Sequence, residues 1–291
     1  MTVGFIGLGN MGAAIAGRLA KGGKDLVVWN RSPAAADRVA AETGARRVSS
    51  PADALQGDVV FSMLADDAAI EAALLSSGAL AAAAKGLTHV NCATVSVALA
   101  ERLEARHREL GLAYVAAPVL GRPDVAAAGQ LHVLAAGEPA ALAKVRPLLD
   151  LIGQRIWPIG DRAAMANVVK LACNFALAST IETLGEAGAL AKAHGVEPTT
   201  LYEVMTGSLF AAPATRLYAG LIGERRFEPA GFRLPLGLKD VRLALEAGEA
   251  RHTPLPIASL LRDHFLAAIA AGDADKDWSA VAMTAFRNAG L

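Results

Sequence analysis

The chain has 291 residues, 54% of them hydrophobic and 19% charged, with 28 basic residues against 28 acidic ones. That length suits one large domain or two ordinary ones, and the apolar content excludes disorder over most of it. With no run of one charge sign, neither nucleic acid nor a membrane is expected as the main partner.

The two cysteines, Cys92 and Cys173, lie far apart among apolar residues. They suit neither a disulfide framework nor a zinc spacing, and no metal is expected; they read as two buried thiols of a reducing compartment. The chain opens on a strand pattern, with no basic stretch followed by an apolar signal core. Alanine-rich stretches such as Gly78–Lys85 are too short to span a bilayer, and charges interrupt the longer ones. A soluble cytoplasmic protein is expected.

In chain order, Thr2–Ile6 is an apolar run followed by glycines and a helical pattern over Met11–Ala20. Asp25–Trp29 is the next strand, and Pro33–Thr43 reads as a helix with proline in its first turn. Asp58–Leu64 follows as a strand, with Asp66 placed to cap a helix over Ala68–Leu75. Leu87–Asn91, Ala113–Val115 and Leu131–Ala135 read as further strands, with a helix at Ala98–Leu110. This alternation predicts an α/β, Rossmann-like domain over residues 1–160, a mostly parallel sheet covered on both faces.

From Arg162 to His194 apolar residues recur at three and four without proline, which predicts one long helix joining two domains or two subunits. Helical segments near Thr199–Met205, Leu236–Arg251, Ile257–Ala271 and Ser279–Ala289 complete an all-helical C-terminal domain over residues 161–291.

Gly7-Leu8-Gly9-Asn10-Met11-Gly12 matches G-x-G-x-x-G between a strand and a helix, the context in which that pattern binds a dinucleotide pyrophosphate. An NAD site places an acidic residue about twenty positions later. Here Asn30-Arg31-Ser32 stands there: no carboxylate repels a 2′-phosphate, and Arg31 offers a bidentate guanidinium. NADP(H) is therefore expected as the preferred cofactor, with NAD(H) possible.

On the long helix Lys170 precedes Asn174 by four residues, so both side chains share one face among apolar neighbours. A desolvated lysine has its pKa lowered towards the range useful for proton transfer; a lysine that merely snorkels is the plainer alternative. His89, His107, His132, His194, His252 and His264 show neither a metal spacing nor a dyad. Ser208 and Phe210, in the Gly/Pro-flanked segment Thr206–Pro213, are candidate substrate contacts.

Three separated segments make the resemblance specific. Val3–Gly12, Lys170 with Asn174, and Phe232 with Leu238-Lys239-Asp240 resemble, in order, the signatures of the β-hydroxyacid dehydrogenase family. That family includes 3-hydroxyisobutyrate dehydrogenase and the glyoxylate/succinic and tartronate semialdehyde reductases. The similarity runs over essentially the whole chain, including a 6-phosphogluconate dehydrogenase-like C-terminal domain. It implies hydride transfer between nicotinamide and a small β-hydroxyacid or semialdehyde, with Lys170 as general acid/base and Asn174 beside it.

The same resemblance implies that Leu64, Ala65 and Asp66 lie beside the cofactor, that Thr94 lies near the nicotinamide, and that Lys239 closes over the cofactor. Thr94, Leu120, Gly121, Arg122, Lys170, Asn174, Phe232 and Asp240 are the implied substrate contacts, and a homodimer or homotetramer is expected. Two segments depart from the family pattern. Asn91-Cys92-Ala93-Thr94 stands where Asp-x-Ser-Thr is usual, and Leu120-Gly121-Arg122 where Ser-Gly-Gly is. The second departure keeps open an imine reductase on the same architecture; a non-catalytic dinucleotide-binding module is the remaining alternative.

Overall fold

The computed structural model describes residues 1–291, which form two compact units, Met1–Lys170 and Leu171–Leu291. In the first, strands β1 (Thr2–Ile6), β2 (Asp25–Trp29), β3 (Arg46–Arg47), β4 (Val59–Ser62), β5 (Thr88–Asn91) and β6 (Ala113–Ala116) lie side by side in parallel. The sheet continues through β7 (Val119–Leu120), β8 (Leu131–Gly137) and β9 (Gly153–Gly160), in the order β3-β2-β1-β4-β5-β6-β8-β7 with β9 also on β8. Pairing of β8 with β6 and β7 is antiparallel, so the parallel pattern breaks at this end.

Helices α1 (Asn10–Lys21), α2 (Pro33–Thr43), α3 (Pro51–Ala54), α4 (Asp67–Ile70), α5 (Val97–Glu109), α6 (Pro123–Ala128) and α7 (Pro139–Ile152) surround the sheet. Side chains alternate along each strand, and β4 shows the result. Val59 and Phe61 enter one apolar cluster with Ile15 and Leu19 of α1 and Leu148 and Leu149 of α7. Val60 enters the other, with Leu99 and Leu103 of α5 and Ile70 of α4. Removing a fully buried ring such as Phe61 costs about 3–5 kcal/mol.

Helix α7 and strand β9 are not evident in the sequence. Pro147 interrupts the helical pattern of α7, where a proline removes a hydrogen bond. Pro158 sits in β9, which pairs only with β8 and so tolerates a missing donor.

Helix α8 (Ala164–Ala193) runs unbroken for 30 residues, and the division between the units falls within it. By length and composition alone it is apolar enough to cross a membrane, and the charges along it do not prevent that. A core helix of a soluble protein has the same length and composition, and Asn167, Lys170, Asn174 and Glu182 are among its buried residues.

The second unit packs the rest of α8 with α9 (Pro198–Gly207), α10 (Pro213–Gly223), α11 (Leu234–Glu249), α12 (Pro256–Ala270) and α13 (Met283–Asn288). Ile181, Leu184, Tyr202, Phe265 and Trp278 form its core. The Trp278 indole N–H donates to the Tyr218 hydroxyl at 2.9 Å, so the ring is buried without an unmet donor. Four of these helices, α9 to α12, carry proline in the first turn, where its missing N–H costs nothing.

Candidate active site

The glycine loop joins β1 to α1 on the first unit. Gly7 has φ +95, and a Cβ there would lie 2.4 Å from the Met63 carbonyl oxygen. At Gly12 a Cβ would come within 1.9 Å of the Gly7 carbonyl oxygen, so α1 approaches the loop as only glycine permits. At Gly9, by contrast, a Cβ would meet nothing within 4 Å. Gly9 caps α1 with no side-chain bond to the helix, and the first turn contains no acidic residue. Open space, uncapped N–H groups and the positive end of the helix fit a dinucleotide pyrophosphate.

Asn30 follows β2 and ties this loop to the next. Its Oδ1 accepts the Leu8 N–H at 2.9 Å, and its Nδ2 donates to the Ser32 carbonyl at 3.1 Å. Arg31 and Ser32 are exposed; Ser32 caps α2 without a side-chain bond, and Pro33 occupies the first helical turn. The structure therefore separates two tasks within this tripeptide. Asn30 holds the backbone, and Arg31 with Ser32 presents polar groups outward.

After β4, Leu64 is half-buried and Ala65 exposed, and the Asp66 carboxylate caps α4 by accepting the Ala69 N–H at 2.8 Å. Asp67 accepts the Ser96 N–H at 2.9 Å, linking this loop to the one bearing Thr94. Thr94 is half-buried. Asn91 anchors its turn: Oδ1 accepts the Ala93 N–H at 3.0 Å, and Nδ2 donates to the Tyr114 hydroxyl at 3.1 Å.

Behind these loops lies a buried chain absent from the sequence reading. The Ser62 hydroxyl meets His89 Nε2 at 2.7 Å, His89 Nδ1 meets His107 Nε2 at 3.0 Å, and His107 Nδ1 meets the Leu103 carbonyl at 2.6 Å. Burial holds His89 well below its ordinary value, reinforced by His107, and lowers His107 to about 4. Both rings are thus neutral at pH 7, and the Leu103 carbonyl at the end assigns their protons. His107 donates from Nδ1 and accepts at Nε2, and His89 donates from Nδ1; the Ser62 hydroxyl then has one proton for two acceptors, His89 Nε2 at 2.7 Å and Asn91 Oδ1 at 3.1 Å. The two histidines form a dyad after all, because β5 and α5 bring distant positions together.

Asn91, whose Oδ1 lies 3.1 Å from the Ser62 hydroxyl, belongs to this neutral set, and its amide adds no charge beside the buried rings. Cys92 is fully buried and its thiol is pushed up to about 12 by burial. Cys173 is only partly buried, so the expectation of two buried thiols holds for Cys92 alone.

Lys170 and Asn174 stand one turn apart on α8, each 8% exposed. In the second unit Asn174 Nδ2 donates to Asp240 Oδ2 at 2.5 Å, and Lys239 Nζ lies 3.1 Å from Asp240 Oδ1. Asp240 is 3% exposed, so a buried carboxylate carries both an amide and an ammonium. Phe232 packs edge-on against Trp278 with ring centroids 5.1 Å apart, and the Gly231 and Phe232 N–H groups both donate to Asp277 Oδ2.

Leu120 pairs with His132 at the end of the sheet, and Gly121 turns the chain at φ +143. A Cβ at Gly121 would lie 2.7 Å from Leu131, so this turn is closed to larger residues. Arg122 is half-buried at the start of α6. Leu120 shares an apolar cluster with Leu64, Val95, Ala166 and Val169, which brings Leu120-Gly121-Arg122 beside the opening of α8. Ser208 and Phe210 are exposed; Ser208 donates to the Val204 carbonyl at 2.6 Å.

Comparison with known proteins agrees along the chain. Residues 2–160 match the family described as the NAD binding domain of 6-phosphogluconate dehydrogenase. Residues 164–285 match the family described as NAD-binding of NADP-dependent 3-hydroxyisobutyrate dehydrogenase. An uncharacterized oxidoreductase of Bacillus subtilis is 38% identical, over 97% of this chain and 98% of that protein. An NAD-dependent L-serine dehydrogenase of Pseudomonas aeruginosa is 37% identical, over 96% of each. The structure of a Mycobacterium tuberculosis 3-hydroxyisobutyrate dehydrogenase with L-serine superposes at TM-score 0.88 and 30% identity, over 97% of this chain and 98% of that one. An imine reductase from Pseudomonas sp., at TM-score 0.65 and 21% identity over 100% of this chain and 99% of that one, shares the fold alone. The chain therefore belongs to the β-hydroxyacid dehydrogenase family and is an NAD(P)-dependent oxidoreductase of the CH–OH class.

Proposed function

We propose that Lys170 is the general acid/base of this oxidoreductase, acting with Asn174 on a short β-hydroxyacid or its semialdehyde. The observation supporting this reading is the pair itself: an ammonium and an amide one turn apart, both buried, the amide oriented by Asp240. A bound nicotinamide supplies or takes up the hydride. In reduction the carbonyl oxygen gathers negative charge, which the Lys170 ammonium stabilises and then protonates. In oxidation the neutral Lys170 amine removes the alcohol proton. Asn174 holds the same oxygen within reach, with its own amide donated to Asp240 so that it cannot swing away.

Gly7, Leu8, Gly9, Asn10, Met11 and Gly12 would hold the pyrophosphate, with Leu64, Ala65, Asp66, Thr94 and Lys239 against other parts of the cofactor. Arg31 and Ser32 would grip a 2′-phosphate, which makes NADP(H) the preferred form, with Asn30 positioning their backbone. Backbone N–H groups of Leu120 and Gly121, the Arg122 guanidinium, Phe232 and Asp240 complete the substrate side. Residues 1–160 would serve cofactor binding, and residues 161–291 substrate binding and self-association into a dimer or tetramer in the cytoplasm. Leu190, Val204, Leu209, Ile257 and Leu266 leave the helical unit with exposed apolar surface, which supports self-association.

The test is Lys170→Ala, assayed with semialdehydes under NADPH and NADH in parallel. A loss of kcat by orders of magnitude with cofactor affinity retained is expected. Near-normal turnover would end the assignment.

A further inference from the structure

Asn167 lies on α8 three residues before Lys170 and seven before Asn174, so the three side chains project from one face of the helix. It is 1% exposed, and its carboxamide oxygen is enclosed without a hydrogen-bond partner in the protein. Its neighbours Ala163, Ala164 and Ala166 are buried in an apolar cluster and offer no donor from their side chains. A buried acceptor left unmet is costly, whereas an apolar residue of the same size would fill this place without penalty. An amide on the face that carries Lys170 is therefore best explained by a donor arriving with the bound molecule.

The chemistry of that donor is constrained. A carboxylate or a carbonyl cannot meet an acceptor, and a methyl group leaves it unmet. A hydroxyl or an ammonium meets it. Cβ atoms three apart on a helix are about 5–6 Å from one another, a span suited to neighbouring substituents of a three-carbon acid.

We propose that Asn167 is a specificity-determining residue whose oxygen accepts a hydrogen bond from a hydroxyl or ammonium on the carbon next to the reacting CH–OH, an inference that rests on Lys170 and Asn174 binding the reacting oxygen. The preferred substrates are then β-hydroxyacids bearing an α-hydroxyl or α-amino group, rather than an α-methyl or no substituent. A polar site discriminates strongly against an analogue that leaves its acceptor unpaired.

Serine, glycerate, 3-hydroxyisobutyrate and 3-hydroxypropanoate differ only at that carbon, and each is assayed in the oxidising direction, as both enantiomers where it has them. Wild-type kcat/KM is expected to favour serine or glycerate over the other two by about tenfold or more. Asn167→Leu lowers kcat/KM about tenfold or more for the donor-bearing acids and less than about threefold for the others. Asn167→Asp keeps an acceptor and favours serine over glycerate more than wild type does, which decides the matter should the leucine variant not fold.

Thermal shifts with oxidised cofactor present give a readout independent of turnover. Serine or glycerate raises Tm for wild type but not for Asn167→Leu. A uniform loss across all four acids, as a grip on their shared carboxylate would produce, overturns the proposal, as does no change. If wild type oxidises none of them, the Lys170 reading fails on these acids, and identical thermal shifts in wild type and Asn167→Leu then overturn the role of Asn167 as well.

Discussion

Asn174 and Asp240 lie 66 positions apart, yet the Asn174 amide donates to the Asp240 carboxylate at 2.5 Å, joining α8 to α11 through a bond shielded from water. A charge-assisted bond of this length fixes the amide orientation. Asp240→Ala removes the acceptor and is expected to lower kcat about tenfold or more and stability by about 1–3 kcal/mol. Asp240→Asn retains an acceptor oxygen and should stay within about threefold of wild-type kcat. Equal losses in the two variants would show that the charge on Asp240, rather than the bond to Asn174, is what matters; steady-state rates and thermal melts measure both.

Two glycines of one loop should behave oppositely. Gly12→Ala places a methyl 1.9 Å from the Gly7 carbonyl oxygen and is expected to destabilise the fold by about 1–3 kcal/mol. Gly9→Ala meets nothing in the protein, so Tm should be unchanged while the dissociation constant for NADPH rises about tenfold or more. Calorimetric titration and thermal melts separate the two. A Gly9→Ala protein with normal cofactor affinity would remove the pyrophosphate from this loop.

Arg31 is exposed and can pair with a phosphate at little structural cost. Arg31→Ala is expected to raise KM for NADPH about tenfold and leave KM for NADH within about twofold. A wild-type kcat/KM that favours NADH would refute the preference outright.

The buried histidine pair makes a prediction about acid. Both folded-state values lie below 6.5, that of His107 at about 4, because burial penalises the charged ring. Above pH 6.5 both rings are neutral folded or unfolded, and they add no pH dependence. Below it the unfolded chain takes up protons that the folded one refuses, so stability falls as pH drops from 6.5 towards 4, by about 1.4 kcal/mol per unit for each histidine. In His107→Gln, whose amide still accepts from His89, the slope should be shallower by that amount over the same window. Denaturant melts at several pH values test this, and parallel slopes in variant and wild type would contradict it.

Much of the fold was legible from local pattern. The glycine loop, the alternation of strands and helices and the 30-residue helix each declare themselves within a short window. The pair Lys170 and Asn174 was legible for the same reason, since helical spacing alone aligns them. What escaped was set by tertiary packing. Ser62, His89 and His107 lie on two strands and a helix, and only the register of β4 with β5 and the packing of α5 align them. Asn167 escaped too, although it lies on the same helical face, because its significance is its burial without a partner and not its spacing. Helix α7 was hidden by Pro147, a residue that tertiary contacts tolerate and local propensity does not.

If Arg31 and Ser32 meet the cofactor as proposed, the clip made by Asn30 constrains how cofactor choice can change in this protein. One side chain clasps both the glycine loop, through Leu8, and the backbone of Ser32. Installing an acid at position 30 would surrender the bond to Ser32 and set a carboxylate against its carbonyl, disturbing both halves of the cradle at once. Position 31 carries no such duty. Under the proposed role of Arg31, selectivity between the two nicotinamide coenzymes is retuned at that exposed residue while the scaffold beneath it stays whole.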